Sequence, residues 1–334
     1  MESRHIIDNK VILVTGGTGE FGHEFVSYIM KYFHPKKIIV FSHDEGELSS
    51  MRNKYYKNLG VLRFFVGDIR DKERLCRAFK GVDYVVHMAS MNDEVICEYN
   101  PREAILTNIL GTQNVIEAAI DNGVEKVIAV STDKAVYPSD MYGSVKLVSD
   151  QLMIAGNLYS GDAKCSFSVV RFSNVVDSKH SDLITLVEKR HNIVKKIAVS
   201  DYRETRFWTS KDMGIRMVVS ALELSSGGEI FVCKAPSYKK IDLIKALVPD
   251  AQISEKGITP SSKIHEILLT TQEAVCTYEY EDFYVVYPYR RENYESHIIP
   301  NGNKLEYGFS YNSANNTEWL SEQQINTLIK EYIG

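Results

Sequence analysis

Residues 11–22 read VILVTGGTGEFG, and how they are interpreted decides the fold. Val11–Thr15 is a short aliphatic, β-branched run, which suits a buried strand. Glycines end it. Gly17, Gly19 and Gly22 satisfy the spacing G-x-G-x-x-G, and Gly16, Gly19 and Gly22 satisfy G-x-x-G-x-x-G. The next stretch, Phe21–Phe33, carries Phe25, Ile29 and Phe33 on one stripe at helical spacing. Strand, glycine turn and helix in that order let the backbone approach a pyrophosphate seated on the helix N-terminus. The stretch is read as a dinucleotide-binding turn; the alternative is a tight turn of structural use only.

Working outward, the first half keeps the same rhythm. KIIVF (Lys37–Phe41), RFFVG (Arg63–Gly67), DYVVH (Asp83–His87), KVIAV (Lys126–Val130) and FSVVRF (Phe167–Phe172) are predicted strands. Asp71–Lys80 and Asn108–Asp121 between them are predicted helices. Continuous Val/Ile-rich strands alternating with helices imply an α/β fold, a doubly wound parallel sheet covered on both faces. After about residue 175 helix-like pieces (Asp182–Arg190, Ser210–Leu224, Tyr238–Leu247) mix with short strands such as EIFVC (Glu229–Cys233). The expected organisation is a dinucleotide-binding domain over 1–175 and a substrate lobe over 176–334, with some chain returning to the first domain. The tyrosine-rich run TYEYEDFYVVYPYRRENYE (Thr277–Glu295) reads as a strand plus loop, with a stacking surface for a base or sugar as the alternative.

The chain has 334 residues and a formal net charge of −5, with no long basic run. Phosphate-backbone binding needs clustered Lys and Arg, so a nucleic-acid partner is not expected. Five cysteines, odd in number and widely spread, lack metal-knuckle spacing; free thiols in a reducing compartment and no metal site are expected. The polar N-terminus is not a signal peptide, and no apolar stretch approaches membrane-spanning length. A cytoplasmic protein is the expectation.

The second strand ends in FSHDEGE. Ser42 and His43 lean to the 2′-phosphate of NADP, whereas Asp44 leans to the ribose hydroxyl of NAD. Asp68, after the third strand, suits contact with an adenine amine or a helix cap. The stretch STDKAVYPSDMYGSVK (Ser131–Lys146) holds the reactive candidates. Tyr142 and Lys146 lie four residues apart in a helix-compatible run and share a face. A cation beside a tyrosine favours phenolate and makes it a usable base. Tyr32 and Lys36 have the same spacing, but Pro35 breaks that helix.

At these residues the chain resembles the extended short-chain dehydrogenase/reductase superfamily and, within it, the inverting UDP-N-acetylglucosamine 4,6-dehydratases that start pseudaminic acid synthesis in bacteria. FFVGDIRDKERL, CEYNPREAILTNILGTQNVIEAAIDNGVEKVIAVSTDKAV, MYGSVKLVSDQL, TRFW and FSYNSANNTEW carry the resemblance, which covers nearly the whole chain. It implies a Rossmann-type sheet with a smaller C-terminal lobe, and these roles. Tyr142 takes the proton of the sugar 4-hydroxyl while C4 gives hydride to NADP. Lys146 orients the nicotinamide ribose and lowers the tyrosine pKa. Thr132 stands near the 4-oxygen. Lys134 removes the hydrogen at C5, and Asp133 protonates the departing 6-hydroxyl. Hydride returns to C6, and a proton added to the opposite face inverts C5. Asn108 holds active-site backbone and water, while His87 is structural.

The cofactor shell is read as Gly16, Thr18, Gly19, Glu20, Phe21, Gly22, Ser42, His43, Asp44, Asp68, Ile69, Ala89, Asn108, Tyr142 and Lys146. NADP is expected, with NAD as the alternative. The substrate shell is read as Met91, Asn174, Lys179, Arg206 and Glu266, with Arg171 and Arg203 as weaker phosphate candidates. The partner is a nucleotide sugar, UDP-N-acetylglucosamine, and a homo-oligomer (dimer or hexamer) is expected.

The chain also departs from the family pattern. The loop usually like HAAALKQVP is HMASMNDEV (His87–Val95), with Asn92 for a lysine and added acids Asp93 and Glu94. GNVVGSRGSVVP becomes SNVVDSKHSDLI (Ser173–Ile184), and GIRAGEKLHE becomes GITPSSKIHE (Gly257–Glu266), which keeps Lys263, His265 and Glu266 but loses an arginine. His43 stands where the family has its cofactor arginine. Two rivals therefore accompany the dehydratase reading: a C4 epimerase using Tyr142 without a C5 base, and a dinucleotide-binding protein without catalysis.

Overall fold

The computed structural model describes residues 5–161, 164–176, 181, 183, 184, 186, 187, 196–289 and 294–333. Six strands alternate with helices through the first half: β1 (Val11–Thr15), β2 (Lys37–Ser42), β3 (Leu62–Val66), β4 (Tyr84–His87), β5 (Lys126–Thr132) and β6 (Ser166–Phe172). All pair in parallel, in the order β3-β2-β1-β4-β5-β6. The intervening helices are α1 (Glu20–Tyr32), α2 (Glu45–Lys54), α3 (Lys72–Ala78), α4 (Glu94–Tyr99), α5 (Pro101–Ala104), α6 (Gly111–Asp121) and α7 (Met141–Tyr159).

Strand alternation explains the apolar runs. Ile12, Val14, Ile38 and Val40 face Phe25 and Ile29 of α1 on one side of the sheet. Leu13, Ile39, Val85 and Val127 face Leu75, Phe79, Val115 and Ala119 on the other. With both faces covered, neither side of a strand is polar. The order reverses between β1 and β4, and doubly wound sheets bind their ligands in the crevice at that switch, beyond the carboxyl ends of the strands.

Beyond residue 175 come β7 (Lys196–Val199), β8 (Thr205–Phe207), β9 (Ile230–Cys233), β10 (Ser237–Lys239), β11 (Gln252–Glu255), β12 (Ile267–Leu269), β13 (Thr277–Glu279), β14 (Phe283–Val286), β15 (Asn303–Lys304) and β16 (Tyr311–Asn312). The division at 175 is not clean. β9 pairs in parallel with β6, and β14, β13 and β15 extend the sheet as an antiparallel edge. The apolar run around Ile230 is fully buried and belongs to the central sheet rather than to the lobe. The tyrosine-rich run forms the β13–β14 hairpin, its rings packed together and Tyr280 hydrogen-bonded to Tyr287 at 2.9 Å. The lobe keeps the small pairs β8–β10 and β7–β11 around Trp208, Leu243, Leu247 and Ile325, while β12–β16 packs Leu268, Leu269 and Tyr311 into the core beside the central sheet.

Two differences from the sequence reading change the kind of element formed. Tyr238 starts no helix: it lies in β10, buried edge-on against Trp208, and the helix begins at Lys240. The helix expected at Asn108 is preceded by a π-helical turn over Ile105–Leu110, a distortion frequent at functional sites. The helix expected at Asp182–Arg190 lies largely outside the described residues.

Candidate active site

The glycine turn sits at the switch point. Gly16 has φ +67°, and a Cβ there would lie 2.7 Å from the Ala89 nitrogen across the crevice. A Cβ on Gly22 would lie 2.7 Å from the Gly16 oxygen and from Gly17 Cα. Gly19 caps α1 without a side-chain hydrogen bond, so the N-terminal N–H groups of a 13-residue helix face the crevice. This cradle fits a dinucleotide pyrophosphate. Gly22→Ala is accordingly expected to lower the dinucleotide retained on purification at least about tenfold, because helix and turn must separate to admit the methyl group; full retention would show that the turn does not hold the phosphates.

Around the cradle, Thr18 donates to Ser42 at 2.8 Å, Glu20 pairs with Lys211 at 2.7 Å, and the Phe21 ring packs on Phe172. His43 is exposed. Asp44 caps α2, accepting from the Glu47 amide at 2.8 Å. Asp68 is no helix cap, since Asp71 caps α3. Burial raises the Asp68 pKa, but the hydrogen bonds and charge of Arg70 override this and hold it low. Ile69 is buried against Gly111.

The π-turn places Asn108, 2 % exposed, against the end of the β4 loop. Its carbonyl oxygen accepts from the Met91 amide at 2.8 Å and its amide donates to the Met91 oxygen at 2.9 Å, so one side chain fixes that backbone. His87 is buried between the hydroxyls of Thr15 and Thr112, at 2.7 and 3.2 Å. Burial and the Lys146 charge push its pKa down to about 3, which fits a neutral structural residue.

The reactive stretch spans the end of β5, a single turn over Asp133–Ala135 and the start of α7. Asp140 caps α7 at 2.7 Å to the Gly143 amide, setting Tyr142 and Lys146 one turn apart. Tyr142 packs with Cys97, Ala104 and Val145. Burial, then the carboxylates of Asp133 and Asp150, raise its pKa, so the phenol is firmly protonated in the unliganded site. The expected lowering by Lys146 is therefore not seen there. Lys146 is 6 % exposed, donates to the Val130 oxygen at 2.8 Å, and has a pKa lowered by burial against the opposing charge of Asp150. Asp150, one turn further along α7, accepts from Ser131 at 2.7 Å.

Thr132 donates to Asp133 Oδ1 at 2.9 Å. Asp133 is fully buried, and its Oδ2 has no hydrogen-bond partner. Lys134 pairs not with its neighbour but with Glu94, at 3.0 Å. Burial lowers the Lys134 pKa, yet Asp133 and Glu94 more than reverse this, and the side chain rests as an ammonium. Lys263 donates to the Asp133 and Val136 oxygens at 3.0 and 2.6 Å, holding the turn from the lobe.

The substrate-shell candidates divide. Glu266 is 3 % exposed, accepts from the Phe207 amide at 2.7 Å and faces this cluster. Arg206 lies beside Glu266, 3.8 Å from its carboxylate, and is bound to Glu204 at 2.9 Å and to the oxygens of Thr205 and Ile264. Those contacts orient it within the protein, unlike a free phosphate clamp. Arg171 is buried against Glu273 at 2.9 Å, and Arg203 pairs with Asp201 at 2.6 Å, so both serve structural ion pairs. Met91 contributes its clamped backbone, Asn174 is exposed after β6, and Lys179 lies outside the described residues. Sequence reasoning assigned no role to Glu94 or Asp150. Asp150 carried a signal, four residues after Lys146 on one helix face; Glu94 had only its negative charge. Among the described residues no cluster of His, Cys, Asp and Glu has metal-binding geometry, and no helix is long and apolar enough to cross a membrane.

A family model described as "Polysaccharide biosynthesis protein" matches residues 12–288. The chain belongs to the polysaccharide biosynthesis protein family. Its doubly wound parallel sheet is of the Rossmann type. Among its relatives in this family, the UDP-N-acetylglucosamine 4,6-dehydratase (inverting) of Campylobacter jejuni subsp. jejuni serotype O:23/36 (strain 81-176) is 41% identical over 98% of this chain and 100% of that protein. A UDP-glucose 4-epimerase of Rickettsia rickettsii (strain Sheila Smith) is 33% identical over 96% and 95%. The X-ray structure of Pen from Bacillus thuringiensis superposes with a TM-score of 0.87 at 30% identity, covering 98% of each chain.

Proposed function

We propose that this protein is a nucleotide-sugar 4,6-dehydratase, a hydro-lyase acting on UDP-N-acetylglucosamine with inversion at C5. The observation that carries the reading is the neighbourhood of Asp133, Lys134 and Tyr142: an acid, an amine and a phenol converge from the end of β5 and the start of α7. The full-length likeness to an inverting dehydratase supports it. Gly16, Gly19 and Gly22 would hold the pyrophosphate of a bound nicotinamide dinucleotide, and Lys146 its ribose. When bound, that group supplies the hydride acceptor at C4 and the donor at C6. NADP is the proposed form, with Ser42 and His43 at its ribose phosphate.

Tyr142 takes the proton from the 4-hydroxyl. The resulting 4-ketone acidifies C5, where Lys134 removes the proton; Asp133 protonates the 6-oxygen as it leaves. Holding base and acid on consecutive residues of one short turn fixes their separation, which is what a concerted positioning effect requires. Lys134 acts as a base only after losing its own proton, and its pairing with Glu94 opposes that. Glu94→Gln removes one carboxylate from beside the ammonium, so Lys134 should deprotonate at lower pH. The acidic limb of the elimination rate should then move down, by at most about one pH unit because Glu94 is partly solvated. A pH–rate profile checks this; an unmoved limb means the pair does not govern the base.

The epimerase relative motivates a second reading, in which Tyr142 takes the 4-hydroxyl proton, a bound nicotinamide would accept the C4 hydride, and that hydride returns to the same carbon. That chemistry has no use for Asp133 and Lys134. Mass spectrometry after incubation with UDP-N-acetylglucosamine separates the two: a product lighter by one water supports the dehydratase, and an isomer of unchanged mass supports the epimerase. Chromatography of the dinucleotide released on denaturation tests NADP against NAD.

A further inference from the structure

Elimination at C6 needs an acid that is still protonated near neutral pH. Asp133 is followed by Lys134, and Lys263 donates to its backbone oxygen at 3.0 Å. The structure supplies a second carboxyl. β12 abuts the Asp133–Ala135 turn, and Glu266 immediately precedes β12. Three residues before it, Lys263 donates to the backbone oxygens of Asp133 and Val136, tying the two segments together. Glu266 is 3 % exposed and Asp133 fully buried. Glu266 Oε2 takes the Phe207 amide, whereas Asp133 Oδ2 is a buried oxygen with no partner.

We infer that Asp133 and Glu266 hold one proton between them, and that this pair, rather than Asp133 alone, protonates the departing 6-oxygen. The inference rests on the dehydratase reading for its chemistry. Two neighbouring buried carboxylates do not both ionise readily, and their protons belong to the pair. The groups facing Glu266 are Asp133, which opposes its ionisation, and Arg206, Lys134 and Lys263, which favour it. Arg206 is already matched by Glu204 at 2.9 Å, and Lys134 by Glu94 at 3.0 Å. Burial and the Asp133 charge prevail, and the Glu266 carboxyl is pushed up to about 8.

The proton count closes. The C5–H bond breaks and its proton goes to neutral Lys134. The C5 electron pair forms the C5–C6 double bond as the C6–O bond breaks. The oxygen takes the proton of the carboxyl pair and leaves as water. The lysine gains one positive charge while the pair gains one negative charge, so the buried cluster keeps its net charge through the step. Glu266 acts through Asp133 and is a positioning residue.

The test uses the full chain with its bound dinucleotide and UDP-N-acetylglucosamine, comparing wild type with Glu266→Gln. Glutamine keeps an acceptor for the Phe207 amide and removes the ionisable partner. In wild type, water loss should decline as pH rises through about 8. Glu266→Gln leaves Asp133 without its carboxyl neighbour. The alkaline limb should move down by more than about one pH unit, and kcat near neutrality should fall at least about tenfold, with KM unchanged and C4 oxidation retained. An alkaline limb and kcat equal to wild type would overturn the inference and leave Glu266 a purely structural group.

Infrared spectroscopy of the wild-type protein gives a reading independent of the variant's folding. A protonated-carboxyl band present at neutral pH, lost through about 8 and missing in Asp133→Asn, supports the shared proton; its absence at neutral pH refutes it. Should wild type release no water at all, the dehydratase reading fails by itself, and the band still decides whether the pair holds a proton.

Discussion

Tyr142→Phe is expected to lower turnover about a thousandfold, the scale of losing a positioned general base. Phenylalanine keeps the ring contacts with Cys97, Ala104 and Val145, so the fold and the dinucleotide cradle should be untouched. What disappears is the one hydroxyl that α7 presents a turn before Lys146. The unliganded site holds that phenol protonated, since burial and the charges of Asp133 and Asp150 all disfavour phenolate. For Tyr142 to act as a base its proton affinity would have to fall on assembly of the complex, and Lys146 with a bound nicotinamide would supply the positive charge. The appropriate readout is single-turnover formation of reduced nicotinamide from bound dinucleotide and nucleotide sugar. Near-complete loss of that signal with unchanged dinucleotide content agrees with the assignment; oxidation at the wild-type rate would remove Tyr142 from the mechanism.

Lys134→Ala should have an effect of similar size on a different step. Water loss should fall by about two to four orders of magnitude, while oxidation at C4 continues. The separation follows from position: Tyr142 belongs to α7, Lys134 to the turn after β5, and Lys134 makes no contribution to the glycine cradle at β1 and α1. Reduced nicotinamide should then accumulate, or hydride should return to C4 and yield the starting sugar or its 4-epimer. Lys134→Arg, which keeps the ion pair with Glu94 but holds its proton more tightly, should be as inactive in elimination as the alanine variant. Undiminished elimination in both would mean that another group removes the C5 proton.

The fold was legible because its signals are local. Val11–Gly22 encodes strand, turn and helix start within twelve consecutive residues, and the remaining Val/Ile runs repeat the pattern at intervals suited to parallel crossovers. The far side of the sheet was not. β9, β13, β14 and β15 reach the sheet from the second half of the chain, and short strands carry no mark of the partner they join. The same distinction separates the site residues. Asp133, Lys134, Tyr142 and Lys146 lie within one stretch and could be read together. Glu94, Lys263 and Glu266 meet them only through tertiary packing, across about forty and one hundred and thirty residues of chain. Arg206 differs: its motif suggests a phosphate contact, and only the structure shows that Glu204, two residues away, also engages the guanidinium.

The altered loops acquire a physical meaning in the structure. Asp93 caps α4, and Glu94 begins that helix and reaches Lys134. The acidic residues that separate HMASMNDEV from the family pattern thus bear on the charge around Lys134 and on local helix geometry. GITPSSKIHE retains Lys263 and Glu266, the two residues that touch or face the Asp133 turn. The changes fall beside Asp133, Lys134 and Tyr142 and leave those residues in place.

The most direct measurement is the reaction of the intact protein with UDP-N-acetylglucosamine in heavy water, followed by mass spectrometry and NMR. A 4-keto product one water lighter, with deuterium at C5 and the inverted configuration there, is the predicted result. A product of unchanged mass with hydrogen at C5, formed with turnover of the bound dinucleotide, would contradict the dehydratase account and make the protein an epimerase.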